Sequence, residues 1–210
     1  MNTNLIKKTY NQIAHIYQKD RDSLKSNKYL HKLLQLLRPQ SYVLDLGCGS
    51  GNPIDTELIK HDHLVIGLDI SPVQIELARK NCPTGSFSVR DIQTLRLGEY
   101  SVDAVVSFYT FFHIPREKHL ELLKKVNSFL PIGGLFLLTM GEKDFEGEHT
   151  MFGANMWSSQ YGPQKNAQML QDTGFEILLD TIDRTGNENH QILLVKKNQA
   201  VIVRHKNVPS

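Results

Sequence analysis

An alternating run of glycines preceded by a carboxylate is the part of this sequence whose residue types most clearly suggest ligand binding. Asp45 stands two residues before the first of three glycines, which are Gly47, Gly49 and Gly51. Glycines adopt positive φ and let a ligand approach the backbone closely. The stretch reads VLDLGCGSGNP, so an apolar strand enters the loop and a helix-like segment leaves it. This pattern predicts a binding loop, with a tight turn that binds nothing as the alternative.

The charges of the loop restrict the ligand. A phosphate-binding loop needs a lysine beside its last glycine, and no Lys or Arg occurs between Val43 and Ile59. The spacing is Gly-x-Gly-x-Gly, whereas dinucleotide loops have Gly-x-Gly-x-x-Gly. A carboxylate at Asp45 repels pyrophosphate and attracts a cation. The expected ligand is a nucleoside with a positive charge and no phosphate, which S-adenosyl-L-methionine satisfies through its ammonium and sulfonium.

Two further acids follow later apolar runs. Asp69 comes in GLDIS, where a carboxylate accepts hydrogen bonds from both hydroxyls of a ribose. Asp91 comes in VRDIQ, and we expect it to accept from an adenine amino group between the apolar walls of Ile70 and Ile92. Each of these two acids taken alone is better explained as a helix cap or a solvated loop residue. The set of acids at successive strand ends is the more specific observation.

The arrangement of apolar segments predicts the elements that position these residues. Short apolar runs fall at 42–47, 64–70, 86–92, 103–109 and 134–140, and helix-like segments separate them at 53–60, 72–80 and 116–130. Strands that alternate with helices indicate a parallel sheet covered on both faces. Two runs at 175–183 and 190–197 are joined by turn residues and predict a hairpin. The fold class is therefore α/β, Rossmann-like and doubly wound, with an antiparallel C-terminal hairpin.

These motifs together resemble the class I S-adenosylmethionine-dependent methyltransferase family, small-molecule type. VLDLGCGSG is similar to its first motif, GLDIS to its second, RDIQTL to its third and DAVVSFYTFFHIP to its fourth. FLPIGGLFLL resembles the strand after the catalytic segment, and the likeness is close over residues 40–140. The resemblance implies a seven-stranded sheet with an inserted antiparallel last strand. It also implies S-adenosyl-L-methionine as cofactor and S-adenosyl-L-homocysteine as product.

The segment that leaves the fourth strand is expected at the mouth of the pocket. In the family that the chain resembles, this segment borders the transferring methyl group. Ser107 and Cys48 join the predicted cofactor residues, while Tyr109 and His113 are the predicted catalytic residues and Phe112 is a predicted substrate contact. An imidazole titrates near neutral pH, so His113 is suited to act as a general base. The alternative is that His113 caps the next helix or orients the loop.

Aromatic residues on two other segments are expected to cover the pocket. MFGANMWSSQYGP (151–163) contains Trp157 and Tyr161 and is predicted to be an exposed loop that forms a small-molecule lid. A satellite core beneath a long loop is the alternative. The first helix carries Ile6, Tyr10, Ile13, Ala14 and Tyr17 at helical spacing, and Tyr10 and Tyr17 are predicted to close the cofactor pocket.

Length and composition fit one domain. The chain has 210 residues, of which 40% are hydrophobic. We predict a single methyltransferase domain over 1–197, with lid helices at 1–38, the cofactor core at 40–140, an acceptor-side loop and helix at 141–174, and the hairpin at 175–197. A basic tail follows at 198–210. Four basic residues and no acid lie in 196–210, so the net charge of +2 becomes −2 for the remainder.

The remaining features exclude several classes of protein. A faintly acidic body disfavours nucleic acid as a partner, and no apolar run is long enough to cross a membrane. Two cysteines without pairing or metal spacing fit a reducing cytoplasm, and no metal site is predicted. A monomer or homodimer acting on a small-molecule acceptor is expected. The rival interpretations are a nicotinamide-dependent oxidoreductase and a cofactor-binding module without catalysis.

Overall fold

The computed structural model describes residues 3–22, 28–185 and 189–198. Its helices are α1 (Thr3–Asp22), α2 (Lys28–Leu34), α3 (Ile54–Lys60), α4 (Pro72–Asn81), α5 (His119–Phe129) and α6 (Pro163–Asp172). Its strands are β1 (Tyr42–Leu46), β2 (Leu64–Asp69), β3 (Ser86–Val89), β4 (Ala104–Ser107), β5 (Leu135–Gly141), β6 (Phe145–Met151), β7 (Ala154–Gln160), β8 (Phe175–Asp183) and β9 (His190–Lys197). The predicted basic tail beyond Asn198 lies outside the described residues.

Seven of these strands form one sheet in the order β3-β2-β1-β4-β5-β9-β8. Strands β1 to β5 are parallel, while β9 runs antiparallel between β5 and β8. The predicted α/β fold with an antiparallel terminal hairpin is therefore confirmed. The strand order reverses between β1 and β4, and in open α/β sheets the crevice outside the carboxyl ends of such strands binds ligands. The glycine loop follows β1 at this point.

Apolar side chains on both faces hold the sheet between its helices. Strands β4 and β5 are buried along their whole length, as expected for central strands covered on both sides. On one face Phe111 and Phe136 belong to a core cluster that includes the apolar residues of α5. On the other, Val43 and Leu58 pack in a second cluster with residues of α2, α3 and α4. The two clusters fix the strand ends that carry the candidate site.

The prediction of an exposed loop at 151–163 is wrong. Residues 145–160 form an antiparallel hairpin, β6–β7, in which Phe145 pairs with Gln160 and Met151 with Ala154. Met156 and Trp157 are buried against Ile6 of α1, so a satellite core does exist, on a strand and not beneath a loop. Along 145–151 exposed residues alternate with half-buried ones, which is the period-two pattern of a half-exposed strand. The two acids of the stretch, Glu146 and Glu148, occupy exposed positions of that pattern.

Candidate active site

The glycine loop is held against the end of β2 by its own backbone. The amides of Gly47 and Cys48 both donate to the carbonyl of Leu68, over 2.7 and 3.0 Å. Gly47 has φ +84°, and a Cβ there would lie 2.0 Å from Oγ1 of Thr110, so both conformation and space require glycine. Gly49 also has positive φ and lines the cavity described below. A backbone this close to the cavity allows direct approach by a ligand.

Asp69 joins the glycine loop to the start of α4. Its Oδ2 accepts a hydrogen bond from the amide of Gly49 (3.0 Å), and its Oδ1 accepts one from the amide of Ser71 (2.8 Å). Ser71 is the N-cap of α4, where its hydroxyl accepts from the amide of Gln74. Burial raises the pKa of Asp69 to about 6. The amide of Ile70 also stabilises this carboxylate. A carboxylate has about four acceptor sites, so Asp69 can still accept a hydrogen bond from a ligand hydroxyl.

Asp45 does not face the cavity as the sequence suggested. It is 2% exposed and lies behind the glycine loop, where its carboxyl interacts directly with that of the fully buried Asp55 in α3. Among the described residues, no other donor reaches Oδ1 of Asp45 or either oxygen of Asp55. Burial raises the pKa of Asp45 to about 7 and that of Asp55 well above its usual range. The two carboxyls therefore share a proton beneath the loop.

Sequence reasoning missed Asp55. Its signal was an acid in the first turn of a helix directly after the glycine loop, on the same helical face as the buried Leu58. An acid in a first turn is normally explained by the helix dipole. The helix dipole is thus a sufficient explanation for Asp55 in the sequence. Only the fold shows that Asp45 lies against the same turn and is its partner.

A first cavity, enclosing about 610 Å³ with its open mouth, lies above the loop. The predicted cofactor residues that line it are Tyr10, Tyr17, Gly47, Gly49, Asp69, Ile70, Asp91 and Ile92. Asp91 caps a short turn after β3, where its Oδ1 accepts from the amide of Gln93. The side-chain amide of Gln74, also in the wall, is fully buried and has no hydrogen-bond partner among the described residues. The cationic wall residue Arg90 is paired with Glu99 at 2.6 Å.

Four predicted cofactor residues are not in this wall. Asp45 has been described. Gly51 and Cys48 lie in the loop but face away from the cavity, since a Cβ on Gly51 would meet Sγ of Cys82 at 2.9 Å and Sγ of Cys48 lies close to Gly67. Ser107 is fully buried, and its hydroxyl donates to the carbonyl of Leu46, which links β4 to β1. These residues support the loop and the strands, and the cavity is formed by their neighbours.

A second, more open cavity of about 1200 Å³ adjoins the first. The two cavities have four lining residues in common, Tyr10, Tyr17, Tyr109 and His113. The second is otherwise lined by Phe112, Glu142, Lys143, Phe145, His149, Met151, Ser158, Gln160, Asn189 and His190. Phe112 stacks on His190 with ring centroids 5.4 Å apart. The wall is thus aromatic near the first cavity and polar toward its far side.

The predicted catalytic residues lie in the shared wall. Nδ1 of His113 is 3.0 Å from the carbonyl oxygen of Trp157, and Nε2 is 2.8 Å from the hydroxyl of Tyr10. Tyr109 has φ +57°, a conformation in which bulky residues are strained, and its amide donates to Oγ1 of Thr139. Such a conformation persists where the surrounding structure imposes it. At Tyr109 it changes the direction of the chain between the two cavities.

Trp157 and Tyr161 are not among the described residues that line either cavity. Trp157 pairs with Glu148 in the hairpin, on the face opposite to Ser158 and Gln160, which do line the second cavity. Tyr161 lies edge-on to His119 and beneath the guanidinium of Arg116. Because side chains alternate along a strand, β7 points the ring of Trp157 away from the cavity. Trp157 contributes its backbone carbonyl instead, as the partner of His113.

Comparison with known proteins agrees with this fold. Residues 43–134 match the family model described as "Methyltransferase domain". The chain is 28% identical over 150 residues to the trans-aconitate 2-methyltransferase of Escherichia fergusonii, an alignment that covers 70% of this chain. That alignment covers 56% of the relative, and the chain spans roughly half the length of the curated relatives it matches.

Solved structures show the same fold at low sequence identity. Magnesium protoporphyrin IX methyltransferase from Synechocystis with bound S-adenosyl-L-homocysteine superposes with a TM-score of 0.72 at 17% identity, covering 94% of this chain and 100% of that one. A didemethyltoxoflavin N1-methyltransferase from Burkholderia thailandensis gives 0.68 at 17% identity, covering 92% and 87%. The chain thus has the fold of these methyltransferases. The chain belongs to the class I S-adenosylmethionine-dependent methyltransferase family, as its motifs predicted.

The cofactor of this family, S-adenosyl-L-methionine, fits the residues present. The wall offers the carboxylate of Asp69, an amide of Gln74 that has no partner among the described residues, and a loop without a cationic side chain. The shared-proton pair beneath the loop adds negative charge close to where a cation is expected. Within the described residues, no helix combines the length and apolar character needed to cross a bilayer.

Proposed function

We propose that this protein transfers a methyl group from S-adenosyl-L-methionine to a small-molecule acceptor held in the second cavity. The observation that carries the proposal is the wall common to both cavities, formed by Tyr10, Tyr17, Tyr109 and His113. A cofactor in the first cavity and an acceptor in the second would meet across this wall. Direct transfer needs such contact between two ligands, and a module that only binds the cofactor does not.

Different residues of the first cavity contact different parts of the cofactor. Asp69 accepts hydrogen bonds from the ribose hydroxyls, and it holds the loop in place through Gly49 at the same time. Asp91 and Ile92 contact the adenine, since they stand at the end of the neighbouring strand. The unpartnered amide of Gln74 supplies a further donor and acceptor next to Gly49. These are the roles assigned from the sequence, now restricted to residues that line the cavity.

The transfer is an in-line displacement. When bound, the cofactor supplies an electrophilic methyl group whose bond to sulfur breaks, with the electron pair going to sulfur, as the acceptor's lone pair bonds to the carbon. The chain's own task is to align the acceptor and exclude water. Helix α1 does the latter by covering the first cavity with Thr3, Ile6, Tyr10 and Tyr17.

The lining of the second cavity indicates which kind of acceptor it can hold. It is a concave space lined by both aromatic and polar side chains, which suits an amphipathic small molecule. The wall contains Glu142 beside Lys143, so it offers no excess of cationic side chains to hold a polyanion. The didemethyltoxoflavin enzyme with the same fold was solved with a small heterocycle bound. That likeness supports a small acceptor here.

The test offers methyl-labelled cofactor to three separate pools: small metabolites, RNA or DNA, and protein extract. Label is expected in the metabolite pool. With the acceptor so found, Phe112→Ala should raise its KM at least tenfold while leaving the Kd of S-adenosyl-L-homocysteine within twofold, because Phe112 lines only the second cavity. Tyr42→Ala is the matched control, since Tyr42 is 51% exposed and remote from both cavities. Label confined to nucleic acid or protein would contradict the proposal.

A further inference from the structure

The hydrogen bonds of His113 fix where its proton lies. A backbone carbonyl only accepts, so Nδ1 of His113 carries a hydrogen and donates it to the carbonyl of Trp157 over 3.0 Å. In a neutral imidazole the other nitrogen then has a bare lone pair. Nε2 therefore accepts the hydrogen bond at 2.8 Å, and the hydroxyl of Tyr10 donates it. The ring is 6% exposed and lies against Tyr10 and Phe112, so this orientation is held on both sides.

This arrangement separates the base from the acceptor. The basic nitrogen of His113 is already engaged by Tyr10, and an acceptor would have to displace that hydroxyl to reach it. Tyr10 lines both cavities. A phenol that donates its hydrogen to Nε2 can accept a hydrogen bond on its own oxygen. The group placed to meet an acceptor's proton is thus the hydroxyl of Tyr10.

The three partners belong to elements that are fastened to one another. Helix α1 carries Tyr10, the turn after β4 carries His113, and β7 carries the Trp157 carbonyl. On α1, the hydroxyl of Thr9 donates to the carbonyl of Asn155 in β7 over 2.6 Å, and Ile6 packs against Met156 and Trp157. The strand that orients His113 therefore also anchors the helix that delivers Tyr10. This shared anchor keeps the hydrogen-bonded chain in register.

The geometry points to Tyr10 as a catalytic residue of the proposed transfer, acting as the first member of a proton relay to His113. The acceptor's proton passes to the oxygen of Tyr10 as the Tyr10 proton passes to Nε2 of His113. The resulting imidazolium keeps its Nδ1 hydrogen bond to Trp157, and it returns its extra proton to solvent after the products leave. The relay rests on the proposed function. It also narrows the acceptor to one that carries a proton on the reacting atom, a hydroxyl or an amine, as opposed to a carboxylate.

Other titratable groups stand around this pair, and the test must separate them from it. They are Tyr17 on α1, Tyr109 after β4, Glu142 and Lys143 after β5, His149 on β6 and His190 on β9. Tyr109 and His190 contact each other with ring centroids 5.0 Å apart. Tyr10→Phe changes one oxygen atom and leaves all of these groups in place, so it is the cleanest variant.

The first readout needs no turnover. Nitrogen NMR of the histidine side chains should show His113 as the Nδ1–H tautomer in the wild-type protein, with Nε2 shielded by an incoming hydrogen bond. Tyr10→Phe should remove that hydrogen bond and shift the Nε2 resonance, while Tyr42→Phe leaves it unchanged. An Nε2–H tautomer in the wild-type protein would overturn the relay, whether or not the protein is a methyltransferase.

The second readout is kinetic. With a hydroxyl or amine acceptor, Tyr10→Phe should lower kcat by about 10²- to 10³-fold, the usual share of general base catalysis, and abolish the acid limb of the pH profile. His113→Gln should cost a similar factor, and the double variant should cost no more than either alone. Wild-type transfer combined with a Tyr10→Phe kcat within threefold of normal would refute the relay and leave the proposed function standing. If no pool accepts label from the wild-type protein, the proposed function fails instead.

Discussion

Raising the pH should weaken the ligand-free fold, because Asp45 and Asp55 are buried beneath the glycine loop and Asp69 is half-buried beside it. Burial raises the pKa of Asp69 to about 6 and that of Asp45 to about 7, from an ordinary value of 3.8. A carboxyl whose pKa is higher in the folded than in the unfolded state binds more protons when folded. The contribution of these carboxyls to the free energy of unfolding is therefore fully present below about pH 4. It is lost as the pH rises through 6 to 7.

The expected magnitude follows from the shifts. At 1.36 kcal/mol per pKa unit, ionising Asp69 costs the fold about 3 kcal/mol, and ionising Asp45 costs about 4 kcal/mol. For a domain of this size, 1 kcal/mol moves Tm by roughly 2–4 °C. The Tm of the ligand-free protein should therefore fall by on the order of 10 °C or more between pH 5 and pH 8. Differential scanning calorimetry across that range measures it directly.

S-adenosyl-L-methionine should oppose this loss, because a cation beside the loop favours the ionised carboxyls. Its affinity should rise with pH between 5 and 8, and binding near pH 6.5 should release protons. Isothermal titration calorimetry in buffers of different ionisation enthalpy counts them. A flat Tm from pH 5 to pH 8, or proton uptake on binding, would refute the reasoning.

Asp55→Asn isolates the contribution of the buried pair. The amide donates a hydrogen bond to Asp45 as the protonated Asp55 does, but it cannot release a proton. The folded protein then no longer holds the proton that burial keeps on Asp55, so the pH dependence of Tm should become shallower. Asp172→Asn is the control, since Asp172 is an exposed acid on α6 that accepts from Gln168. An unchanged slope in Asp55→Asn would remove the pair from the explanation.

Two further substitutions test the supports of the site. Gly47→Ala should destabilise the protein by more than about 2 kcal/mol and abolish cofactor binding, because positive φ and a contact at 2.0 Å to Thr110 both oppose a side chain. Urea unfolding measures the loss of stability, and calorimetry measures the loss of binding. Near-normal values of both would contradict this account of the loop. Lys197→Met should cost about 1–3 kcal/mol, because the buried ammonium donates to the carbonyls of Asn127 and Leu130 at 2.8 and 2.7 Å; its activity should be unchanged at temperatures where it stays folded.

The sheet and the loop could be predicted from sequence because their signals are local. Alternating apolar runs and helices predicted β1 to β5, and the run VLDLGCGSG identified the loop by residue type alone. Asp69 and Asp91 were expected at one edge because parallel strands end there together, and both line the first cavity. These inferences need only the periods of helices and strands and the chemistry of a few side chains.

The remaining parts of the site depend on contacts between distant segments. Nothing near Asp45 in the sequence shows that Asp55 will share its proton, and nothing near His113 shows that Tyr10 will cover its Nε2. The residues of each pair come together only when the elements that carry them pack. Trp157 shows the same limit. Its side chain was expected to cover the pocket from an exposed loop, but it lies on a strand that points it away from both cavities. Residue type indicated that these side chains matter, but their partners were set by the tertiary fold.

Helix α1 has a consequence for the kinetics of ligand exchange. It covers the first cavity, and it is clamped to β7 through Thr9 and to the N-cap of α4 through Asn11, which accepts from Ser71 over 2.6 Å. A nucleoside that leaves on this side requires the helix to lift, which breaks both hydrogen bonds and exposes Ile6 to water. Product release then becomes a local opening event with its own barrier, and the slowest step of a full cycle would be set by the lifting of the helix that also carries Tyr10.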